Sequence, residues 1–234
     1  MAGLVVVTGG TKGIGRAVLE KFASNGYDIC TCARKKAELE SLAADFGKKF
    51  KVKVYHQVAD LSSVKDTKAF VEFVGKLGRP VDVLVNNAGF FVGGTVTEEP
   101  EGTLESMMGA NLYSAYYTTR GLAAGMKRVR SGHIFNMCSI ASFTAYANGG
   151  SYAITKFALL GFSKVLREEL KAHGVRVTAI MPGATRTASW DGTDLPDERF
   201  MKAEDVADTI YSAYMLSKQS VVEEIVMRPL LGDI

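Results

Sequence analysis

Residues 4–15 read Leu4-Val-Val-Val-Thr8-Gly9-Gly-Thr11-Lys12-Gly13-Ile14-Gly15, a pattern that few architectures accommodate. The first five form a short, mostly β-branched run, the composition of a buried strand. Glycines follow at once. Residues 16–25 then carry Ala17, Val18, Phe22 and Ala23 at helical spacing. Strand, glycine turn and helix, in that order, make the context in which a glycine motif cradles phosphate. Gly9 permits the tight turn, Gly13 lets the backbone approach a pyrophosphate, and Gly15 lets helix and strand pack closely. The helix N-terminus adds free N–H groups and the positive end of its dipole. With Thr11, Lys12 and Ile14 as its side chains, the turn points to a dinucleotide site.

Working outward, strand-like runs at 27–33, 51–58, 81–85, 133–138, 175–180 and 221–229 alternate with helical stretches at 37–48, 62–77, 101–130, 150–171 and 203–216. Such alternation predicts an α/β fold: one doubly wound Rossmann-fold domain spanning 1–234, with a parallel sheet of about seven strands flanked by helices. The second run ends about 20 residues past the glycines, where an acidic side chain would hold the ribose 2′-hydroxyl of NAD. Ala33 and Arg34 stand there instead. With no carboxylate at that point to repel a 2′-phosphate, Arg34 and Lys12 can pair with one. NADP(H) is therefore the expected cofactor, with NAD(H) the alternative.

The bulk composition narrows the class. Hydrophobic residues make up 47% of the 234, enough for a sizeable core, and the net charge of +3 makes no electrostatic case for nucleic acid. Three cysteines, all in strand-like runs, form neither a metal spacing nor an even disulfide set. Free buried thiols suit a reducing compartment, and the reading expects a cytoplasmic protein with no signal peptide, no membrane span and no metal.

Residues 139–156 hold three groups able to handle a proton at one carbonyl: Ser139, Tyr152 and Lys156. Tyr152 and Lys156 are four apart, so a helix places them on one face, one turn from each other. Asn148 or Ser151 can cap that helix. A free phenol titrates near pH 10, and a nearby ammonium favours the phenolate. Ser139 follows an apolar run and so stands at the carboxyl end of a strand, the ligand-binding edge of an open parallel sheet.

The glycine turn preceded by Thr8, the tetrad Asn86-Asn87-Ala88-Gly89, and Ser139 with Tyr152-x-x-x-Lys156 together resemble the short-chain dehydrogenase/reductase family in its shorter, single-domain form. The resemblance covers nearly the whole chain. It implies an NADP(H)-dependent oxidoreductase that reduces a small carbonyl compound to an alcohol, or the reverse, without a metal. Tyr152 is then the general acid. Lys156 lowers the Tyr152 pKa and holds the nicotinamide ribose, and Ser139 orients the carbonyl oxygen. Asn111, in a long helix among Leu112, Tyr113, Tyr116 and Tyr117, holds a water that links the lysine to solvent. The amides of Asn86 and Asn87 brace their loop on the cofactor side, while Ala88 and Gly89 leave room for the adenine ribose. Pro182 and Gly183 turn beside the nicotinamide, and Thr187 holds its carboxamide. Asp60, followed by Leu61, either meets the adenine amino group or caps the next helix, where Ser62 is the better cap.

Phe90, Phe91, Ser142, Phe143, Tyr146, Met181 and Trp190 are the expected pocket walls, and 188–200 is a short substrate lid. The apolar surface of helix 150–171 is too wide for packing on one side only, which suggests contact with another subunit, and the resemblance implies a homodimer or homotetramer through helices 101–130 and 150–171. Enoyl-type reductases of this fold place the lysine later, where this chain has Leu159. The tail departs from the glycine-rich ending of ketoacyl-carrier-protein reductases. It is more similar to those of bacterial sepiapterin-reductase-like and hydroxy-acid or serine dehydrogenase-like members. A pterin, a hydroxy acid and a ketoacyl thioester are thus the substrate alternatives. A non-catalytic NADP-binding sensor or scaffold is the alternative of a different class, although such proteins usually lose the tyrosine or lysine.

Overall fold

In the computed structural model, which describes residues 2–234, the opening run forms β1 (Leu4–Thr8), an interior strand of a seven-stranded sheet. The other strands are β2 (Asp28–Ala33), β3 (Val54–Val58), β4 (Val83–Asn86), β5 (Gly132–Met137), β6 (Val175–Pro182) and β7 (Glu224–Met227). Their order is β3-β2-β1-β4-β5-β6-β7, and every pairing is parallel. The chain winds outward from β1 to β3, then returns to lay β4 on the other side of β1. The loops leaving β1 and β4 therefore part company, which opens a crevice at their carboxyl ends.

Helices cover both faces: α1 (Gly13–Ser24), α2 (Lys36–Phe50), α3 (Val64–Lys76), α4 (Thr103–Met108), α5 (Ser114–Val129), α6 (Gly150–Leu170) and α7 (Ala203–Met215). Phe22 of α1, Phe46 of α2 and Ile210 of α7 pack on Val5, Val7 and Ile29. Phe70 of α3, Met126 of α5 and Leu170 of α6 pack on Leu4, Val6 and Cys30. Alternate residues of β1 thus face opposite layers, and both layers are dry. That is why β1 reads as an unbroken apolar run rather than an alternating one. No helix among the described residues is long and apolar enough to cross a membrane.

Several boundaries differ from the expected ones, each for a local reason. The helix expected over 101–130 is interrupted. A wider π turn, Gly109–Tyr113, separates α4 from α5, and Asn111 lies within it. Such turns cluster at functional sites. Ser63, not Ser62, caps α3, accepting from the Asp66 amide at 3.3 Å. Ser62 is taken up by Asp60, whose carboxylate accepts from its amide at 3.0 Å and its hydroxyl at 2.7 Å. Neither Asn148 nor Ser151 caps α6. Glu99, 52 residues earlier, accepts from the Ser151 amide at 2.9 Å and also from its hydroxyl.

One polar chain crosses the core. Asn86 on β4 donates to Thr119 of α5 and to Asn136 of β5, both at 2.8 Å. Asn136 donates to Ser163 of α6 at 2.8 Å, and Ser163 donates to the Leu159 carbonyl at 2.8 Å. All four side chains are buried. Polar groups in such a place must find partners or destabilise the fold, and these find them in one another apart from Asn86 Oδ1, which has none among the described residues.

Candidate active site

The turn after β1 is held from the side. The Thr8 hydroxyl accepts from the amides of Asn87 and Ala88, at 2.9 and 3.0 Å. The Asn87 side chain donates back to the carbonyls of Thr8 and Gly9, at 2.9 and 3.1 Å. A Cβ at Gly15 would stand 2.5 Å from both the Asn87 side chain and the Gly9 carbonyl, so only glycine lets α1 begin against this loop. The asparagine of the tetrad and the last glycine of the turn are two halves of one close contact.

Beside this turn lies a cleft of about 750 Å³. Gly9, Thr11, Lys12, Gly13 and Ile14 form its floor, and Asn87, Ala88 and Gly89 form one wall. Arg34, Asp60, Leu61 and Thr187 complete the expected set. Gly15 lies behind the turn rather than in the cleft. The carboxylate absent from the end of β2 is supplied from the first turn of α2: Glu38 lines the mouth with Lys35 and Arg34. It pairs with Lys12 at 3.0 Å and Lys35 at 3.5 Å, and accepts from the Thr11 hydroxyl at 3.2 Å. The strand-end comparison missed it because the helix, not the strand, brings it there.

The cleft shares Ile14, Asn87, Gly89, Phe90, Thr187 and Ser189 with a second cavity of about 560 Å³. Ser139, Tyr152 and Lys156 converge on that cavity, with Pro182 and Gly183 beside them. Ser139 stands just past β5 and starts a single turn of 3-10 helix, 140–142. Its hydroxyl accepts from the Ala141 amide at 3.1 Å, while the Ser142 hydroxyl accepts from the Ser139 amide at 3.1 Å.

Burial raises the Tyr152 pKa, and the neighbouring Ser139 hydroxyl pulls it partly back. The expected lowering by Lys156 is not what dominates here. The Lys156 ammonium turns to the Met137 carbonyl at 2.7 Å and lies 5.5 Å from the Tyr152 ring centroid. Burial brings Lys156 itself down to about 8. Next to it, burial pushes the Cys138 thiol up to about 11, so it stays protonated and inert.

Asn111 does not line the cavity with the other three. Its amide is spent on structure: it accepts from the Phe90 amide at 2.9 Å, and donates to the Phe90 carbonyl and the Thr155 hydroxyl, both at 3.0 Å. It joins the loop after β4 to α6 one residue before Lys156.

Among the expected walls, Phe90, Phe91, Tyr146 and Trp190 line the cavity, and Phe91 meets Tyr152 edge-to-face with centroids 5.0 Å apart. Three do not. Phe143 turns outward beneath the Arg228 guanidinium, 5.9 Å from its ring centroid. Met181, on β6, is fully buried in a cluster with Leu159 and Leu160, and Ser142 is taken up by its bond to Ser139. Asp233, from the tail and paired with Arg228, lines the cavity instead. Within the segment 188–200, Arg186 gathers the chain: it pairs with Asp197 at 2.9 Å, donates to the Trp190 carbonyl at 3.1 Å and covers the Phe200 ring at 5.3 Å.

Known proteins are similar to this chain in sequence and fold. The short chain dehydrogenase family model matches residues 3–196. The sepiapterin reductase of Chlorobaculum tepidum is 31% identical, over 100% of this chain and 99% of its own. The alcohol dehydrogenase from the archaeon Thermococcus sibiricus, solved with 5-hydroxy-NADP, matches with a TM-score of 0.93 at 26% identity, over 100% of this chain and 99% of that one. The L-sorbose reductase of Gluconobacter frateurii, solved with NADPH and L-sorbose, matches with a TM-score of 0.90 at 28% identity, over 98% and 96%. Sequence, sheet order and the two joined cavities lead to one assignment: this chain belongs to the short-chain dehydrogenase family of oxidoreductases.

Proposed function

We propose that this chain is an NADP(H)-dependent carbonyl reductase acting through Ser139, Tyr152 and Lys156. One observation carries the reading. A cationic mouth with Lys12, Arg34 and Lys35 opens into the same continuous space that ends at Ser139, Tyr152 and Lys156. A nicotinamide dinucleotide suits these residues. The glycine turn at the start of α1 offers its amides to the pyrophosphate, and the cations at the far end suit a 2′-phosphate. When bound, the cofactor supplies the hydride, which no amino-acid side chain can.

The chain's own groups do the rest. Ser139 donates to the carbonyl oxygen and fixes its direction. Tyr152, kept protonated by its burial, gives its proton to that oxygen as negative charge develops on it. Lys156, charged below about pH 8, favours the phenolate left behind. Pro182, Gly183 and Thr187 hold the nicotinamide end, and Asp60 and Leu61 border the adenine end. Asn111 fixes the Phe90 loop on α6 and so holds substrate wall and acid at one spacing; the family's water relay is assigned to the same residue.

Phe90, Phe91, Tyr146 and Trp190 favour a flat, partly apolar carbonyl compound, with residues 188–200 folding over it. The likeness to a sepiapterin reductase makes a pterin the first substrate to try. The outward faces of α5 and α6 expose Tyr116, Ile154, Phe157 and Val165. These suit contact with a second copy, which light scattering at micromolar concentration would detect.

The test is NADPH and NADH oxidation across diketones, pterins, keto acids and ketoacyl thioesters. Turnover with NADPH on one class supports the reading and names the substrate. Tight NADPH binding with no turnover on any class would favour a cofactor sensor instead.

A further inference from the structure

We propose that Glu38 sets how strongly the chain prefers a 2′-phosphorylated dinucleotide over one with a free 2′-hydroxyl. The inference rests on the reading of the larger cleft as a dinucleotide site. Its basis is the set of groups that Glu38 occupies. One carboxylate oxygen lies 3.0 Å from the Lys12 ammonium and 3.5 Å from that of Lys35, and the other accepts from the Thr11 hydroxyl at 3.2 Å. Two ammoniums and a hydroxyl around paired oxygens are the contacts a phosphate monoester takes. Arg34, on the same mouth, completes the cationic side.

Only one anion can hold Lys12 and Lys35 at full strength. A 2′-phosphate entering the mouth must draw them away from Glu38 and then face its charge. A free 2′-hydroxyl meets the opposite situation. It is a donor in search of an acceptor, and a carboxylate at the mouth supplies one. Glu38 therefore works against the phosphorylated cofactor and for the other. The second acid at the mouth holds neither lysine, since Asp60 is engaged by the amide and hydroxyl of Ser62.

The sequence makes this placement stable. Glu38 sits in the first turn of α2, where a negative charge suits the helix dipole and where the N-cap, Lys35, offers no side-chain cap of its own. The neighbouring Lys12 holds its carboxyl below the usual range, so it is ionised at neutral pH. The partners are exposed, with 63% of the Lys12 and 73% of the Lys35 side-chain surface open to solvent. Exposed pairs of this kind exchange partners readily, so the effect is a tuning rather than a block.

The experiment is a fluorescence titration of NADPH and NADH into the intact protein and its Glu38→Gln, Glu38→Ala and Arg34→Asp variants, at low and high salt. Glu38→Gln removes the charge but keeps an acceptor oxygen. It should tighten NADPH about three- to fivefold and leave NADH almost unchanged, the scale set by exposed ion pairs. Glu38→Ala should tighten NADPH similarly and also weaken NADH. The gain for NADPH should shrink at high salt. An unchanged or narrowed preference in both Glu38 variants would overturn the role of Glu38. Arg34→Asp tests the underlying reading separately: loss of NADPH affinity with NADH retained supports it. A parent protein that binds neither cofactor would overturn both.

Discussion

The Lys156 ammonium donates to the Met137 carbonyl at 2.7 Å, so the last residue of β5 holds a charge one helical turn from Tyr152 on α6. Strand end and helix meet through this bond. A buried ammonium is costly to keep charged, which is why Lys156 falls to about 8 from the 10.5 of a free lysine.

A pH profile should reveal that value. Lys156 is charged below about pH 8 and neutral above it, whereas Tyr152, its pKa raised by burial, remains a proton donor across the same range. The kcat for carbonyl reduction should therefore be flat near neutrality and fall as pH rises through about 8. A profile flat to pH 10 would detach Lys156 from the proton transfer.

Tyr152→Phe keeps the ring that packs against Phe91 and removes only the hydroxyl. Turnover should fall by roughly 10² to 10⁴, the usual worth of a positioned acid, while NADPH affinity stays within about twofold. Retained turnover would pass the acid role to another group.

Glu99 caps α6 from the loop between β4 and α4. Glu99→Ala leaves the Ser151 amide and hydroxyl at the start of α6 without their acceptor. The expected losses are about 1 kcal/mol of stability and a kcat that drops more than KM rises, because Tyr152 is the residue after the capped Ser151. Glu99→Gln, which keeps an acceptor oxygen, should recover most of both. Melting curves and steady-state kinetics on the two variants separate this from a purely structural role, in which kcat would be unmoved.

His133 lies fully buried on β5, stacked on Phe135 with centroids 3.9 Å apart. Thr178 gives its hydroxyl proton to the Val222 carbonyl, so Nε2 of His133 is the protonated nitrogen and donates to Thr178 at 2.7 Å. Nδ1 is left bare and unpaired. Burial drives the folded-state pKa to about 2, far below the 6.5 of the unfolded chain. Below pH 6.5 the unfolded state therefore binds the extra proton. This residue's contribution is intact above pH 6.5 and declines by about 1.4 kcal/mol per unit as pH falls further. Denaturant unfolding at pH 5 and pH 7 should show that decline in the parent and a shallower one in His133→Phe. Equal slopes would refute it.

The architecture was legible because its strands are short, dry and separated by helices of ordinary period. The glycine turn could be read for the same reason, since its backbone needs leave a mark at fixed spacing. The meeting of Ser139, Tyr152 and Lys156 at one cavity was legible because two members share a helix and the third ends a strand. What escaped were contacts between residues far apart in the chain. Glu99 reaches a helix 52 residues away, Asp233 returns from the tail, and Glu38 arrives by the rotation of a helix rather than by strand position. Phe143 was misplaced because a turn of 3-10 helix sets its direction, and hydrophobicity alone could not say that it would shelter Arg228 instead. The π turn at Asn111 has no compositional mark beyond the asparagine itself.

The buried chain from Thr119 through Asn86 and Asn136 to Ser163 has a consequence for how the enzyme keeps its ruler. Ser163 stands about three turns beyond Tyr152 on the same helix. Apolar packing alone would tolerate α6 sliding along the sheet by a turn, because one aliphatic side chain replaces another with little loss. The polar chain tolerates no such slip, for a shifted Ser163 would strand Asn136 without its acceptor in a dry interior. The position of Tyr152 along the sheet is thus gauged from the middle of the protein, by an amide that lies outside the cavity.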